Sequence, residues 1–147
     1  MKLDILSNPL DLKLRSSQNG RQIWDQIRAR WVSFTPEEMV RNLFVRFLIK
    51  EKKVSKTRIA VEKEIKIGTQ KKRFDILIFD SKTLPWMAIE CKSPDIPLDD
   101  LVISQIVRYN KALDCKYLCI VNGLDYFILQ KAELERWKII DIEAFQF

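Results

Sequence analysis

The stretch Arg73–Lys92, RFDILIFDSKTLPWMAIECK, predicts a β-hairpin around which the fold of the chain is built. Two apolar runs with β-forming residues flank the segment SKTL (81–84), whose four residues are a common length for a hairpin loop. If Asp80 faces Pro85 across this loop, the numbers of paired residues add up to a constant. The loop length therefore predicts the register of the two strands.

In that register Asp75 lies opposite Glu90, with their Cβ atoms about 4.5–5.5 Å apart on one face of the sheet. Lys92 shares this face because side chains alternate along a strand. Two like charges so placed repel unless a proton or a cation compensates them. A hard divalent cation such as Mg²⁺, held by oxygen atoms, is the natural compensation. Lys92 could then orient or deprotonate a water, or stabilise charge on a phosphate.

The alternative is that these residues are charged side chains at the solvent end of two strands. In that case Glu90 is merely neutralised by Lys92 or Arg73. An acid followed two residues later by a lysine is too short a pattern to decide between the two interpretations. The combination of an aspartate early in one strand, a short loop and Glu-x-Lys at the end of the next strand favours the metal site.

The sequence outside the hairpin predicts one α/β domain. A helix over 35–53 begins at the N-cap Thr35, with Pro36 in its first turn, and a second helix over 98–114 begins at Asp99 or Asp100. Further strand-like runs lie at 59–68, 116–123 and 127–131. The order α-β-β-β-α-β-β indicates a mixed central β-sheet flanked by helices.

The 147 residues are expected to form a single domain. Residues 1–34 are an N-terminal extension, residues 35–130 the core, and residues 131–147 a C-terminal tail without an assigned structure. In the extension, LDLKLR (10–15) alternates like a strand and SSQNG (16–20) is typical of a turn. RQIWDQIRARWVSF (21–34) is compatible with either a helix or broken strands.

The composition excludes several classes of enzyme. Without histidine the chain has no Ser-His-Asp triad, Cys-His dyad or His-ligated zinc, and three glycines cannot build a P-loop or a GxGxxG loop, so no nucleotide cofactor is expected. The three cysteines, in no metal-binding spacing, are predicted to be reduced and buried in a cytoplasmic protein. No apolar run suggests a signal peptide or a membrane span. The net charge of +6 fits a polyanionic partner.

The hairpin motif D-x(14)-E-C-K resembles the active-site hairpin of the PD-(D/E)xK nuclease superfamily, which has the restriction-endonuclease-like fold. Together with its flanking segments it is similar to the N-terminal domain family of type I restriction enzyme R subunits, from about Trp31 to Gly123. Asn42 departs from the family pattern, which often has glutamine there. The flanking segments are TPEEMVRNLFVRFLI, AVEKEIKI, KKRFDILIFD, IECKSPDIPL, QIVRYN and IVNG.

The resemblance implies Mg²⁺-dependent cleavage of DNA, with Mn²⁺ as a substitute. Carried over position by position, Asp75 and Glu90 bind the metal, and Lys92 is the motif lysine. Glu38 matches the acidic residue of the first helix that supplements the site. The backbone carbonyl of Cys91 is a further candidate ligand, whereas its side chain is predicted to lie in the core.

Other candidate residues have simpler structural roles as alternatives. Glu38 lies three residues after Thr35 and could complete a capping box instead. Gln105 and Tyr109 match a Q-x(3)-Y element that supports the site and the nucleic-acid backbone, but their spacing also places them on the apolar side of a helix. A basic collar next to Asp75 could hold phosphates or be solvated charge; it consists of Lys71, Lys72 and Arg73.

The sequence thus predicts a metal-dependent DNA nuclease domain without a helicase motor. A homodimer, or a partner protein that supplies specificity, would be compatible with it. The first alternative is a catalytically silent nucleic-acid-binding or assembly module on the same fold. The second is a structural protein without a nucleic-acid role.

Overall fold

The computed structural model describes residues 1–7 and 12–145, which form two helices and nine strands. Short 3₁₀ turns lie at Lys56–Arg58, Glu133–Glu135 and Ile142–Ala144. The main elements are β1 (Leu14–Ser17), β2 (Gly20–Asp25), β3 (Arg30–Ser33), α1 (Pro36–Lys50), β4 (Ile59–Ile67), β5 (Gln70–Phe79), β6 (Pro85–Cys91), α2 (Asp100–Asn110), β7 (Tyr117–Val121), β8 (Tyr126–Lys131) and β9 (Trp137–Ile140).

A mixed six-stranded sheet in the order β4-β5-β6-β7-β8-β9 forms the centre of the molecule. Among the described strands of this sheet, β6 and β7 run parallel because α2 lies in the connection between them, and the other neighbours are antiparallel. One apolar cluster packs α1 on one face of the sheet, and a second cluster packs α2 on the other face. The predicted α/β class, the mixed sheet and the order of elements from α1 to β8 are confirmed.

Both helices begin where the sequence predicts. Thr35 Oγ1 accepts the backbone N–H of Glu38 at 3.1 Å, and Pro36 occupies the first turn of α1. Asp99 is the N-cap of α2, and its carboxylate accepts the backbone N–H groups of Leu101 and Val102. These side chains satisfy N–H groups that have no partner within the helix.

The register of the β5–β6 hairpin agrees with the prediction except next to the loop. Ile76 pairs with Ile89, but a bulge places Phe79, instead of Asp80, opposite Pro85. Asp80 belongs to the loop, where its carboxylate accepts two backbone N–H groups. The predicted pairing of Asp80 with Pro85 is therefore wrong, because the bulge takes up one residue at the loop.

The N-terminal extension contains a separate three-stranded antiparallel sheet, β1-β2-β3. The predicted turn is present between Ser17 and Gly20, which pair directly and leave a two-residue loop. Gly20 has a φ of 99°, a conformation that glycine adopts at little cost. The ambiguous stretch 21–34 contains β3 and most of β2, joined by a turn, and is not a helix. Residues 10 and 11 of the predicted N-terminal strand lie outside the described residues.

The C-terminal tail is part of the folded sheet. Strand β9 pairs antiparallel with β8, and the buried residues Ile142 and Phe145 belong to the α1-side core. The Tyr126 hydroxyl accepts the backbone N–H of Ile142 at 3.1 Å. The sequence pattern did not assign this strand.

Two other expectations concern the cysteines and the membrane. Cys91, Cys115 and Cys119 are free thiols with no exposed surface, as predicted. Neither helix within residues 1–7 and 12–145 is long and apolar enough to cross a bilayer.

Candidate functional site

Asp75 lies where the β5–β6 ladder ends, and both of its carboxylate oxygens are bound. Oδ2 accepts the backbone N–H of Cys91 across the hairpin at 2.8 Å. Oδ1 accepts Nη2 of Arg41, from helix α1, at 2.7 Å. The described pairing of the two strands begins one residue further along, at Ile76 and Ile89. Asp75 therefore connects the ends of both hairpin strands to the helix.

The side-chain alternation on which the prediction relied does not continue through Asp75. Phe74 packs in the α2-side core, whereas Ile76 packs in the α1-side core, although strict alternation would place both on one face. On the neighbouring strand, Glu62 interrupts the regular pairing and has a φ of 53°. This irregularity turns Asp75 towards α1 and Arg41.

Arg41 is the centre of an ionic cluster that the sequence prediction missed. Its side chain is 6% exposed and forms ion pairs with Glu38 at 2.6 Å, Glu62 at 2.6 Å and Asp75 at 2.7 Å. The Nε atom is buried and has no hydrogen-bond partner among the described residues. Burial alone lowers the pKa of Arg41, but the surrounding carboxylates outweigh this effect and raise it. The spacing of Glu38 and Arg41, three apart on one helix, was the only sequence sign of this cluster.

Glu38 has separate roles for its backbone and its side chain. Its backbone N–H is capped by Thr35, as described above, whereas its carboxylate binds Arg28 at 2.9 Å and Arg41 at 2.6 Å. The amide of Asn42 is 3.3 Å from the same carboxylate. Only half of the capping box is therefore seen, and the carboxylate faces the site.

Glu90 and Lys92 form an ion pair beside this cluster, with Lys92 Nζ 2.8 Å from Glu90 Oε1. Burial raises the pKa of the Glu90 carboxyl, and the negative charge of Asp75 raises it further. Burial lowers the pKa of Lys92, but its hydrogen bond to Glu90 and the nearby negative charges outweigh this effect and raise it. Asp75 thus favours the neutral form of the acid and the charged form of the amine. Glu90 and Asp75 are close enough for one charge to affect the other.

Cys91 has no exposed surface, and its thiol packs in the α1-side core, as predicted. Burial raises the pKa of the thiol well above its usual value and thus favours the neutral form of the thiol. Its backbone N–H, bound to Asp75, is the group by which this residue reaches the site.

Gln105 and Tyr109 meet on the exposed side of α2, where Gln105 Nε2 lies 2.9 Å from the Tyr109 hydroxyl. Gln105 is exposed, so the prediction that its amide lies within an apolar stripe is wrong. The hydrogen bond from Gln105 and then the proximity of Lys72 lower the pKa of Tyr109. Lys72 Nζ lies 4.0 Å from the centre of the Tyr109 ring. These side chains form one polar unit between β5 and α2.

The predicted basic collar is divided between two faces of β5. Lys72 faces α2 and borders a groove of about 360 Å³, which is also lined by Arg108 and Lys111. Arg73 binds Glu62 at 2.8 Å, next to Arg41, and Lys71 binds Glu64 at 3.0 Å. The three residues lie within a strand, where alternation separates them, and do not form a continuous loop collar.

The donor atoms near Asp75 match the preference of Mg²⁺, although they do not form a large ligand cluster. Among the described residues, no group of three or more Asp, Glu, Cys or His side chains is arranged to hold a metal ion. Mg²⁺ commonly takes only one or two carboxylates together with waters, so a pair such as Asp75 and Glu90 is chemically sufficient. The effect of Asp75 on the pKa of Glu90 is the repulsion that a cation would relieve.

A family model described as Type I restriction enzyme R protein N terminus matches residues 36–142, from the first turn of α1 to beyond β9. No curated protein sequence matches the chain. Because the match covers most of the chain and includes every candidate site residue, the chain belongs to this family.

Proposed function

We propose that this member of the type I restriction enzyme R protein N-terminus family is a Mg²⁺-dependent nuclease domain that hydrolyses phosphodiester bonds in DNA. The family description supports a role in restriction of DNA. A mixed sheet with one helix on each face is compatible with the restriction-endonuclease-like fold of the PD-(D/E)xK superfamily. The observation that carries the proposal is the juxtaposition of Asp75, Glu90 and Lys92 at one end of the β5–β6 hairpin.

Asp75 and Glu90 would hold the metal ion, and the carbonyl of Cys91, the residue after Glu90, is a third candidate oxygen. Mg²⁺ held there would supply Lewis acidity towards a phosphate oxygen and a water, and Mn²⁺ would substitute. Asp75 is fixed from two sides, by the Cys91 N–H and by Arg41. Its carboxylate is thereby oriented before any ligand arrives.

Lys92 acts as a cation in this proposal. Because its pKa is raised, the ammonium form predominates at neutral pH, and it is poorly suited to deprotonate a water. It can instead orient the attacking water and stabilise negative charge that develops on the phosphate. Glu38 supports the site indirectly, since its carboxylate holds Arg41 and Arg28.

The groove beside Lys72 gives the DNA backbone a place to bind. Lys72, Arg108 and Lys111 line it together with Tyr109, and no acidic side chain lines it within the part of the chain that the structure describes. Each phosphate neutralised by such residues makes affinity more dependent on salt. In the family, further subunits or domains are expected to contribute sequence recognition.

Cleavage of plasmid and single-stranded DNA with Mg²⁺ or Mn²⁺ tests the proposal. Wild-type protein should cleave, whereas Asp75→Ala and Lys92→Ala should lose at least about a hundredfold in rate, as is typical when one electrostatic catalytic group is removed. Lys138→Ala, which removes an exposed lysine of β9, is the matched control and should be as active as wild type. Activity that survives both site substitutions would refute the mechanism.

One observation favours a catalytically silent binding or assembly module instead. Both oxygens of Asp75 already have protein partners, and Arg41 supplies positive charge that a metal ion would otherwise provide. Calorimetric titration with Mn²⁺ separates the two functions. A nuclease should bind Mn²⁺ and lose this binding in Glu90→Gln, whereas a silent module should give no heat at millimolar metal.

A further inference from the structure

The N-terminal sheet has an aromatic and basic face that the candidate site does not use. Directly paired residues of antiparallel strands point to the same side, and the pairs Arg15–Gln22, Gln22–Ser33 and Trp24–Trp31 are therefore on one side. We refer to these five residues as the tryptophan face. Lys13 extends this face, because its carbonyl accepts the backbone N–H of Trp24 at 2.9 Å.

The aromatic rings and the arginine on this face are held in place by one another. The Trp24 and Trp31 rings meet edge to face, with centroids 5.4 Å apart. The Arg15 guanidinium lies over Trp31, with Cζ 4.4 Å from the ring centroid, and Arg15 Nε donates to Gln22 Oε1 at 2.8 Å. Arg15 is exposed and both rings are partly exposed. A partner would therefore find aromatic surface and a cation in fixed positions.

The two tryptophans are not part of the central cores. Neither the α1-side nor the α2-side cluster includes Trp24 or Trp31, as far as the described residues go. Ile23, on the opposite side of β2, is fully buried. The sheet thus buries one side against the molecule and leaves its tryptophans on the other.

The two sides of this sheet differ in where its acid lies, although the opposite side also carries Arg21 and Arg30. The strands β1, β2 and β3 contain a single acid, Asp25, which is on the opposite side, buried and paired with Arg28 at 2.5 Å. The tryptophan face itself carries no acid, and its charged groups are Arg15 and, beside it, Lys13. A surface of this composition complements a polyanion with exposed aromatic groups.

From this combination we infer that the tryptophan face binds single-stranded DNA, with bases stacked against Trp31 and Trp24 and phosphates near Arg15 and Lys13. Unpaired bases can stack on aromatic side chains and on arginine, and a basic surface follows their backbone. Duplex DNA hides its base faces within the helix and cannot make these contacts. The choice of DNA as the nucleic acid rests on the proposed function.

This surface is connected to the candidate site through ion pairs. The turn between β2 and β3 contains Arg28, which binds Asp25 on one side and Glu38 on the other. Glu38 binds Arg41, which binds Asp75. A strand held on the tryptophan face would therefore lie on an element in direct contact with the site residues.

The test measures binding in EDTA, where metal-dependent cleavage cannot occur. The probe is fluorescein-labelled oligo(dT) of about 16 nucleotides, followed by fluorescence anisotropy and by tryptophan quenching. Trp31→Leu should weaken binding about 5- to 100-fold, which corresponds to the loss of one stacked base, and Trp31→Phe should restore most of it. Arg15→Gln should weaken binding and reduce the salt dependence by about one phosphate contact.

Arg136→Gln is the matched control, since Arg136 is also exposed and precedes a tryptophan, Trp137, which begins the edge strand β9 of the main sheet. It should bind like wild type. Circular dichroism checks that each variant is folded. Unchanged affinity in Trp31→Leu, or equal affinity for duplex DNA or oligo(U), would overturn the inference.

The binding measurement is independent of cleavage, because Asp75→Asn should still bind the oligonucleotide. Binding by Asp75→Asn and wild type without any cleavage would refute the nuclease but leave the tryptophan face in place. Cleavage by wild type together with normal affinity in Trp31→Leu would support the nuclease and refute binding at the tryptophan face.

Discussion

At the scale of single residues, Arg41 has the largest influence on the site. It is a nearly buried cation that three carboxylates from α1, β4 and β5 share, and each of these would lose one of its partners on removal of the guanidinium. Breaking a buried ion pair costs more than forming it gains, because the remaining charge is left desolvated. The arrangement of Asp75 therefore depends on Arg41.

Arg41→Gln should lower the free energy of unfolding by about 3–5 kcal/mol, and Arg41→Lys by less. Urea denaturation measures both, with and without Mg²⁺. Mg²⁺ should restore part of the loss in Arg41→Gln, since a cation can then compensate the carboxylates. Arg46→Gln, in the same helix, should change stability by less than about 1 kcal/mol, because none of the described ion pairs involves it. A similar loss in both variants would argue against the cluster.

The buried thiols predict how stability responds to alkaline pH. Burial raises the pKa of Cys115 to about 12, and that of Cys119 also lies above its usual value of 9. The pKa of each thiol is higher in the folded protein than in the unfolded chain. The contribution of each thiol to the free energy of unfolding is therefore fully present below pH 9 and is lost as pH rises towards the pKa of the folded state.

The free energy of unfolding should therefore fall above about pH 9, by up to about 1.4 kcal/mol per pH unit for each thiol. Urea denaturation at several pH values measures this slope, and the slope should be smaller in Cys115→Ala. An identical slope in Cys115→Ala and wild type would show that this thiol does not contribute.

At the scale of elements, the β5–β6 hairpin shows how far the sequence determines local structure. Loop length and apolar pattern predicted the pairing of Ile76 with Ile89, because register follows from both. They did not predict the bulge at Phe79, since the residues of SKTL do not specify a turn type. Nor could alternation reveal that Asp75 turns towards α1, because this depends on the backbone of Glu62 in another strand.

The loop of this hairpin contains a strained residue that can be tested. Thr83 has a φ of 62°, which is unfavourable for a β-branched side chain. Thr83→Gly should stabilise the protein by about 1 kcal/mol in thermal or urea unfolding, because glycine removes a strain of about 1–2 kcal/mol. Thr69→Gly, in the β4–β5 turn and without a positive φ, should destabilise it instead. Destabilisation by both would mean that Thr83 is not strained.

At the scale of the whole molecule, the site is assembled from parts that are distant in sequence. The helix, the hairpin and the order of strands follow from local patterns, and so do Asp75, Glu90 and Lys92 as candidates. Local patterns do not reveal the ionic cluster, because it depends on how three separate elements pack. Its members include Arg28, Glu38, Arg41 and Glu62. The burial of the C-terminal tail has the same origin, since β9 has only four residues and a mixed pattern.

The tail should be required for stability. Phe145 is 3% exposed and its ring lies 5.3 Å from that of Trp86 and 5.4 Å from that of Tyr117. Phe145→Ala should cost about 3–5 kcal/mol in unfolding free energy and alter the fluorescence of Trp86. Leu134→Ala removes an exposed side chain of the same tail and should change stability by less than about 0.5 kcal/mol. Equal effects of the two substitutions would contradict the packing described.

The most direct test of the metal site is a crystal structure from crystals grown with Mn²⁺, in which anomalous scattering locates the ion. We expect an anomalous peak between the carboxylates of Asp75 and Glu90, with Lys92 adjacent, and no peak there in crystals of Glu90→Gln. Mn²⁺ bound elsewhere in the wild-type protein, with Asp75 still held by Arg41 and no ion between the two carboxylates, would contradict it.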